Sequence, residues 1–186
     1  DALSSPAADK ELFKVEGIVT GISGNNTYSF EDASGAIAIY SSVKLDVGFE
    51  YTLFGTRDAY NGLEQLRYVD AIKGEAKELP AAVVLTEADL TNNDLLPLQS
   101  RLVSIENATV TTVNADQYGN ITLTLTVGSK TINLRWDNRV ALPAGAEDHL
   151  RSITVDTVVN IVSAPLGWSN NPQLGYNNGS QIVIPV

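Results

Sequence analysis

Phe13-Lys14-Val15-Glu16-Gly17-Ile18-Val19 opens a series of short strand-like runs, and the spacing of that series decides the fold. The run alternates at first and then turns apolar. After the turn Ser23-Gly24-Asn25-Asn26 comes Thr27 to Phe30, and after Asp32-Ala33-Ser34-Gly35 comes Ala36-Ile37-Ala38-Ile39-Tyr40. Glu50 to Gly55 and Leu66 to Ile72 complete the set. Short runs bounded by Gly, Asn, Asp and Ser read as strands. Five of them within about 65 residues predict a small barrel.

A second set lies downstream. Leu102 to Val113 reads as a long strand or a bent pair. Ile121-Thr122-Leu123-Thr124-Leu125-Thr126-Val127 is the cleanest alternation in the chain, with Ile and Leu on one face and threonines on the other. Gly128-Ser129 predicts a hairpin into Lys130 to Trp136, where Ile132, Leu134 and Trp136 share a face. Val155 to Val162 and Gln181 to Val186 read as further strands.

The two sets match as one pattern used twice. A shift of 108 residues sets Leu53 on Ile161, Tyr60 on Trp168, Gln65 on Gln173, Leu66 on Leu174 and Tyr68 on Tyr176. The N-terminal parts need a shift of 90, which sets Phe13 on Val103 and Val15 on Ile105. The second copy is therefore longer by 18 residues, and its insertion falls near 137–152, where Ala146 to Leu150 suits a short helix. The expected organisation is a polar tether at 1–9, a barrel at 10–76, a connector at 77–97 and a second barrel at 98–186. In the connector, Thr86 three residues before Asp89 signals the start of one short helix.

Composition narrows the chemistry. The 186 residues carry no Cys and no Met, which excludes disulfides, thiolate metal sites and cysteine nucleophiles. Net charge is -10, of which -8 falls in residues 1–90, and an acidic balance counts against a chain whose main task is gripping phosphates. No apolar run reaches the length of a membrane span. The polar start, with Ser4, Ser5 and Pro6 and no initiating Met, fits either the stretch after a removed signal or lipid anchor or an arbitrary cut.

Val15-Glu16-Gly17-Ile18-Val19-Thr20, Tyr28 to Ile37 with its Asp32-x-x-Gly35 turn, Leu45-Asp46-Val47-Gly48-Phe49 and the Gly55…Asn61-Gly62…Gln65-Leu66 stretch resemble an OB-fold. The resemblance is to the OB-type domains of bacterial secreted and surface proteins, including Bacteroidetes-type lipoproteins and domains beside extracellular nucleases. It covers Phe13 to Gly74. The second copy departs from it, because Asn107 stands where Gly17 does and no Asp-x-x-Gly turn precedes Lys130. The resemblance implies two tandem OB-like five-stranded barrels and an extracellular or cell-surface location, and it bears on fold more than on function.

No catalytic constellation is present in the sequence. His149 is the sole histidine and sits in what reads as an exposed turn. Asp32 with Ser34, and Asp116 with Asn114 and Asn120, offer oxygens of the kind calcium takes, but Asp and Asn also cap turns for backbone reasons, and no EF-hand spacing occurs. No metal and no cofactor is expected. The loops between strands four and five each hold one large aromatic among amides: Tyr60 with Asn61 and Gln65, and Trp168 with Asn170 and Gln173. Such a plane suits stacking on a sugar ring or a base with amides at its edge, or it plugs a barrel end. Tyr28 and Tyr40 would extend the first platform, Arg135 and Arg139 the second. The expected role is a non-catalytic, monomeric binding module for a glycan, a single-stranded nucleic acid or a protein. The competing reading is a spacer between a membrane anchor and another domain.

Overall fold

Two-residue turns and a carboxylate set the first strands. In the computed structural model, which describes residues 10–186, β1 (Leu12–Gly24) turns at Asn25-Asn26 into β2 (Thr27–Glu31). Asn26 takes the left-handed backbone that such a turn needs, with φ 54°. Asp32 then accepts bonds from the amides of Ser34 and Gly35, which turns the chain into β3 (Ala36–Tyr40). β4 (Phe49–Tyr60) and β5 (Leu63–Ala76) are joined by Asn61-Gly62, with φ 50° and 84°. Their order is β1-β2-β3-β5-β4, closed by β4 on β1, with β3 and β5 parallel. This is the strand order of an OB-fold. Its core holds Val19, Phe30, Ile39, Tyr51, Leu53 and Leu66. Gly17 is required by proximity, since a Cβ there would lie 2.6 Å from the Glu31 carbonyl oxygen.

The next segment is more structured than the single expected helix. Val83–Leu85 forms β6, parallel to β7 (Leu102–Ala115). Thr86 and Asp89 do bond each other, but they enclose only one 3-10 turn, Glu87–Asp89. The α-helix, α1 (Asn92–Leu95), starts later, capped by Thr91. Leu85, Leu90 and Leu95 are buried in the second core, so these residues are built into the following unit.

That unit comprises β7, β8 (Ile121–Val127), β9 (Lys130–Trp136), α2 (Ala146–Ser152), β10 (Val158–Trp168), β11 (Pro172–Gly175) and β12 (Ile182–Val183). Its sheet runs β12-β10-β11-β9-β8-β7-β6, and β10 also pairs with β7. The pairings follow those of the first barrel step by step. Val15 faces Leu53 across β1 and β4, and Ile105 faces Ile161 across β7 and β10. Gln65-Leu66 lies parallel to Ala38-Ile39, and Gln173-Leu174 lies parallel to Asn133-Leu134. The inferred helix near residue 146 is present as α2. His149 lies on that helix, half-buried, and bonds the Ile182 carbonyl at 2.8 Å, which corrects the expected exposed turn. Several strands differ from the expectation: β4 and β10 run on to Tyr60 and Trp168, which were expected in loops, because a two-residue turn at Asn61-Gly62 and a short one at 169–171 close the hairpins. β10 starts at Val158 because Thr154 to Thr157 form a turn with Asp156 at φ 70°. Only Ile182 and Val183 of the last stretch pair, since Gly179–Gln181 coils as a 3-10 turn.

Close backbone contact joins the halves. The end of β1 lies on β10 and β11, and a Cβ on Gly175 would sit 2.6 Å from the Ile22 carbonyl oxygen. Asn177 donates its side-chain amide to the same carbonyl at 2.8 Å. Ile22 packs against both cores. Arg101 pairs with the buried Glu31 across the seam. The tether expected at residues 1–9 lies outside the described residues. No helix among the described residues is long and apolar enough to cross a membrane.

Candidate functional site

Strand alternation decides which aromatics reach the surface. Tyr40 faces Thr27 and Tyr28 faces Ile39 across the β2–β3 pair, so the two tyrosines point to opposite sides. Tyr40 points outward. Tyr28 is 7% exposed and packs in the first core, which corrects its placement on a surface platform. Trp136 is buried as its strand face required and donates its indole N–H to the Val140 carbonyl at 2.9 Å.

The remaining candidates converge. A cleft of about 520 Å³ runs between the halves. Tyr40, Tyr60, Gln65 and Arg67 line it from the first barrel, and Arg135, Trp168 and Gln173 from the second half. The lining is a set of matched positions. Tyr40 and Arg135 each follow the residue that pairs with a core leucine on the fifth strand, Leu66 or Leu174. Tyr60 and Trp168 end the fourth strands, and Gln65 and Gln173 open the parallel pairings. Two platforms read separately from the sequence thus form two walls of one cleft.

The second half holds the first half's loop in place. The amide of Asn170 donates to the Asn61 carbonyl at 2.7 Å. The buried Gln99 donates to the Gly62 carbonyl at 2.8 Å and accepts from the Glu64 amide at 3.1 Å. The Trp168 indole lies against Gly62, within 3.0 Å of where a Cβ would stand. Trp168 is therefore half-buried on the seam, while Tyr60 remains 63% exposed. Asn61 and Asn170 serve the seam through their backbone.

The cleft is more basic than the chain. Three of the six arginines, Arg67, Arg135 and Arg139, line it beside a single carboxylate, Asp137. Asp137 accepts from the Arg139 guanidinium at 2.7 and 2.9 Å and from Arg135 at 3.5 Å. The Arg139 hydrogen bonds hold the Asp137 carboxyl below its ordinary value, against the burial that would raise it, and raise Arg139 in turn. Arg67 donates to Asp58 at 2.9 Å, and its guanidinium sits 5.4 Å from the Tyr40 ring centre. Arg67 and Gln99 escaped the sequence reading. Arg67 was within reach, since it lies two residues after Gln65 on the same face of a strand. Gln99 carries no local signal.

The two calcium candidates are occupied with their own turns. Asp32 bonds Ser34 and Gly35, and Asp116 bonds the amides of Tyr118 and Asn120 and the Asn120 side chain. Among the described residues no cluster of three or more His, Cys, Asp or Glu side chains is placed to hold a metal ion.

No protein-family model and no curated protein matches the sequence. Solved structures give distant likenesses. The p202 HIN1 domain in complex with a 12-mer dsDNA is 11% identical, with a TM-score of 0.41, covering 92% of this chain and 93% of that one. The p204 HINb domain is 8% identical, with a TM-score of 0.41, covering 91% of this chain and 95% of that one. A replication protein A heterotrimer bound to ssDNA is 11% identical, with a TM-score of 0.40, covering 97% of this chain and 50% of that one.

Proposed function

We propose that the chain is a non-catalytic binding module built from two tandem OB-like barrels, and that it holds an extended ligand in the cleft between them. One observation carries this reading: the matched positions Tyr40 and Arg135, Tyr60 and Trp168, and Gln65 and Gln173 line a single cleft. An OB barrel presents ligands to the rim formed by the loops after its first and fourth strands. Ser23 to Asn25 and Tyr60 to Leu63 are those loops of the first barrel, and they border the cleft. The pairing of β10 with β7 supports treating the second half as a barrel of the same order. The loops are tied by Gln99 and Asn170, so the cleft is formed before ligand arrives, which lowers the ordering cost of binding. We place the module on an exported bacterial surface protein, a reading supported by the absence of cysteine and by the sequence resemblance.

Tryptophan fluorescence tests it. Trp136 is buried, so a ligand-induced change reports Trp168. Titration with oligothymidylate, a soluble β-glucan and polygalacturonate should give a saturable change with one of them, lost in Tyr60→Ala. A saturable change that survives Tyr60→Ala, or silence from all three, contradicts the cleft as the binding site.

A further inference from the structure

The two walls of the cleft differ in chemistry although their positions match. At the third-strand position the first barrel carries a ring, Tyr40, and the second a cation, Arg135. Tyr60 adds a second exposed ring to the first wall, and Arg139 adds a second guanidinium to the other. Arg135 and Arg139 both reach one oxygen of Asp137, so their guanidiniums already converge on an oxyanion. The Arg139 side chain is 65% exposed, and a guanidinium has five N–H donors, of which Asp137 engages two on Arg139. Three arginines stand against two carboxylates, Asp137 and the Asp58 that pairs with Arg67, so the cleft keeps a sign opposite to the net -10 of the chain.

We infer that the ligand is a single-stranded nucleic acid, with a phosphate at Arg135 and Arg139 and the neighbouring base against Tyr60 and Trp168. This rests on the cleft reading above. A nucleotide separates a flat ring from a compact charge, which is the division the two walls make. A polyuronate carries its charge on every sugar and has no π-face to offer. Aromatic rings interleaved with arginine are how single strands are held without sequence preference. Arg67, paired with Asp58, lies over Tyr40 and adds a guanidinium plane to the ring wall.

Fluorescence anisotropy of a labelled oligothymidylate, measured across a salt series, tests the assignment. Binding should weaken with salt, and Arg135→Gln with Arg139→Gln should cost at least about tenfold and flatten the salt slope by roughly one phosphate contact. Arg135→Lys with Arg139→Lys keeps the charge and should keep the slope. Arg57→Gln, off the cleft, should change nothing and controls for the loss of a surface charge, while the urea midpoint of the double variant checks its fold. Oligothymidylate binding that ignores both arginines overturns the inference. So does a Trp168-dependent response to neutral β-glucan or to polygalacturonate in place of the oligonucleotide, although the cleft reading then stands. No response of Trp168 to any of the three overturns both.

Discussion

Among the described residues, nine buried hydrophobic side chains cluster in the core of the first barrel, whereas twenty-four cluster in the core of the second half. The order of strand pairing is shared although the registers differ, so the difference comes from what is added around the strands. β6, α1 and α2 place Leu85, Leu95, Ala146 and Leu150 over the second core. Among the described residues the first barrel has no such cover, and it leans on its neighbour through Ile22 and Gly21, whose would-be Cβ lies 3.0 Å from Pro165. Equal topology therefore does not give equal stability, because stability follows the apolar surface buried. The seam makes up part of the difference, and the cleft exists because of it.

The largest effect is expected at matched core positions. Leu53→Ala and Ile161→Ala remove matched side chains that are 0% and 1% exposed, and each should cost about 2–5 kcal/mol in urea unfolding. Strongly unequal losses would break the structural match between the halves. Gly175→Ala should come next, at about 1–3 kcal/mol, because the added methyl meets the Ile22 carbonyl and the Ser23 backbone. A neutral Gly175→Ala would show that the halves do not dock as described. Hydrogen exchange should then rank the halves. Amides of β2 and β3 should open at lower free energy than those of β8 and β9. The reverse order would contradict the link between core size and local stability.

Two carboxylates extend the comparison to pH. Burial raises the Glu31 pKa, and its Arg101 partner offsets that only in part. A raised acid favours the folded state once protonated, so Glu31 contributes stability at low pH that is lost as pH rises through its folded value. Asp137 is lowered by its Arg139 bonds, so its contribution is present above the ordinary carboxylate range and is lost as pH falls. Asp137→Asn should make the acid-side loss of stability shallower, and Glu31→Gln should make it steeper. Matching slopes for the two variants would contradict the opposite signs.

How much of this the sequence revealed depends on range. Ile121 to Val127 alternates because one face is core and the other solvent, and it paired as expected with Lys130 to Trp136. Asn25-Asn26 and Asn61-Gly62 announced their turns through residues that accept positive φ. β6 was missed because three residues, Val83–Leu85, carry no readable period. β5 was read short because it continues past the core to Ala76 as a solvated arm. At the site, the loop aromatics and their glutamines were legible as local patterns. Tyr28 was misplaced for want of register, since only its pairing with Ile39 turns it inward. The union of two platforms into one cleft depends on Gly175 meeting Ile22, a contact between residues far apart in the chain that no local pattern encodes.

The most direct test of one cleft shared by the two halves is stoichiometry. Calorimetric titration of the intact chain with oligothymidylate should give one site, and Tyr60→Ala or Trp168→Ala alone should each weaken that site by about 1–3 kcal/mol, the scale of one stacked base. Two independent sites, each abolished by only one of the two substitutions, would mean that the halves bind separately and that the cleft is not the site.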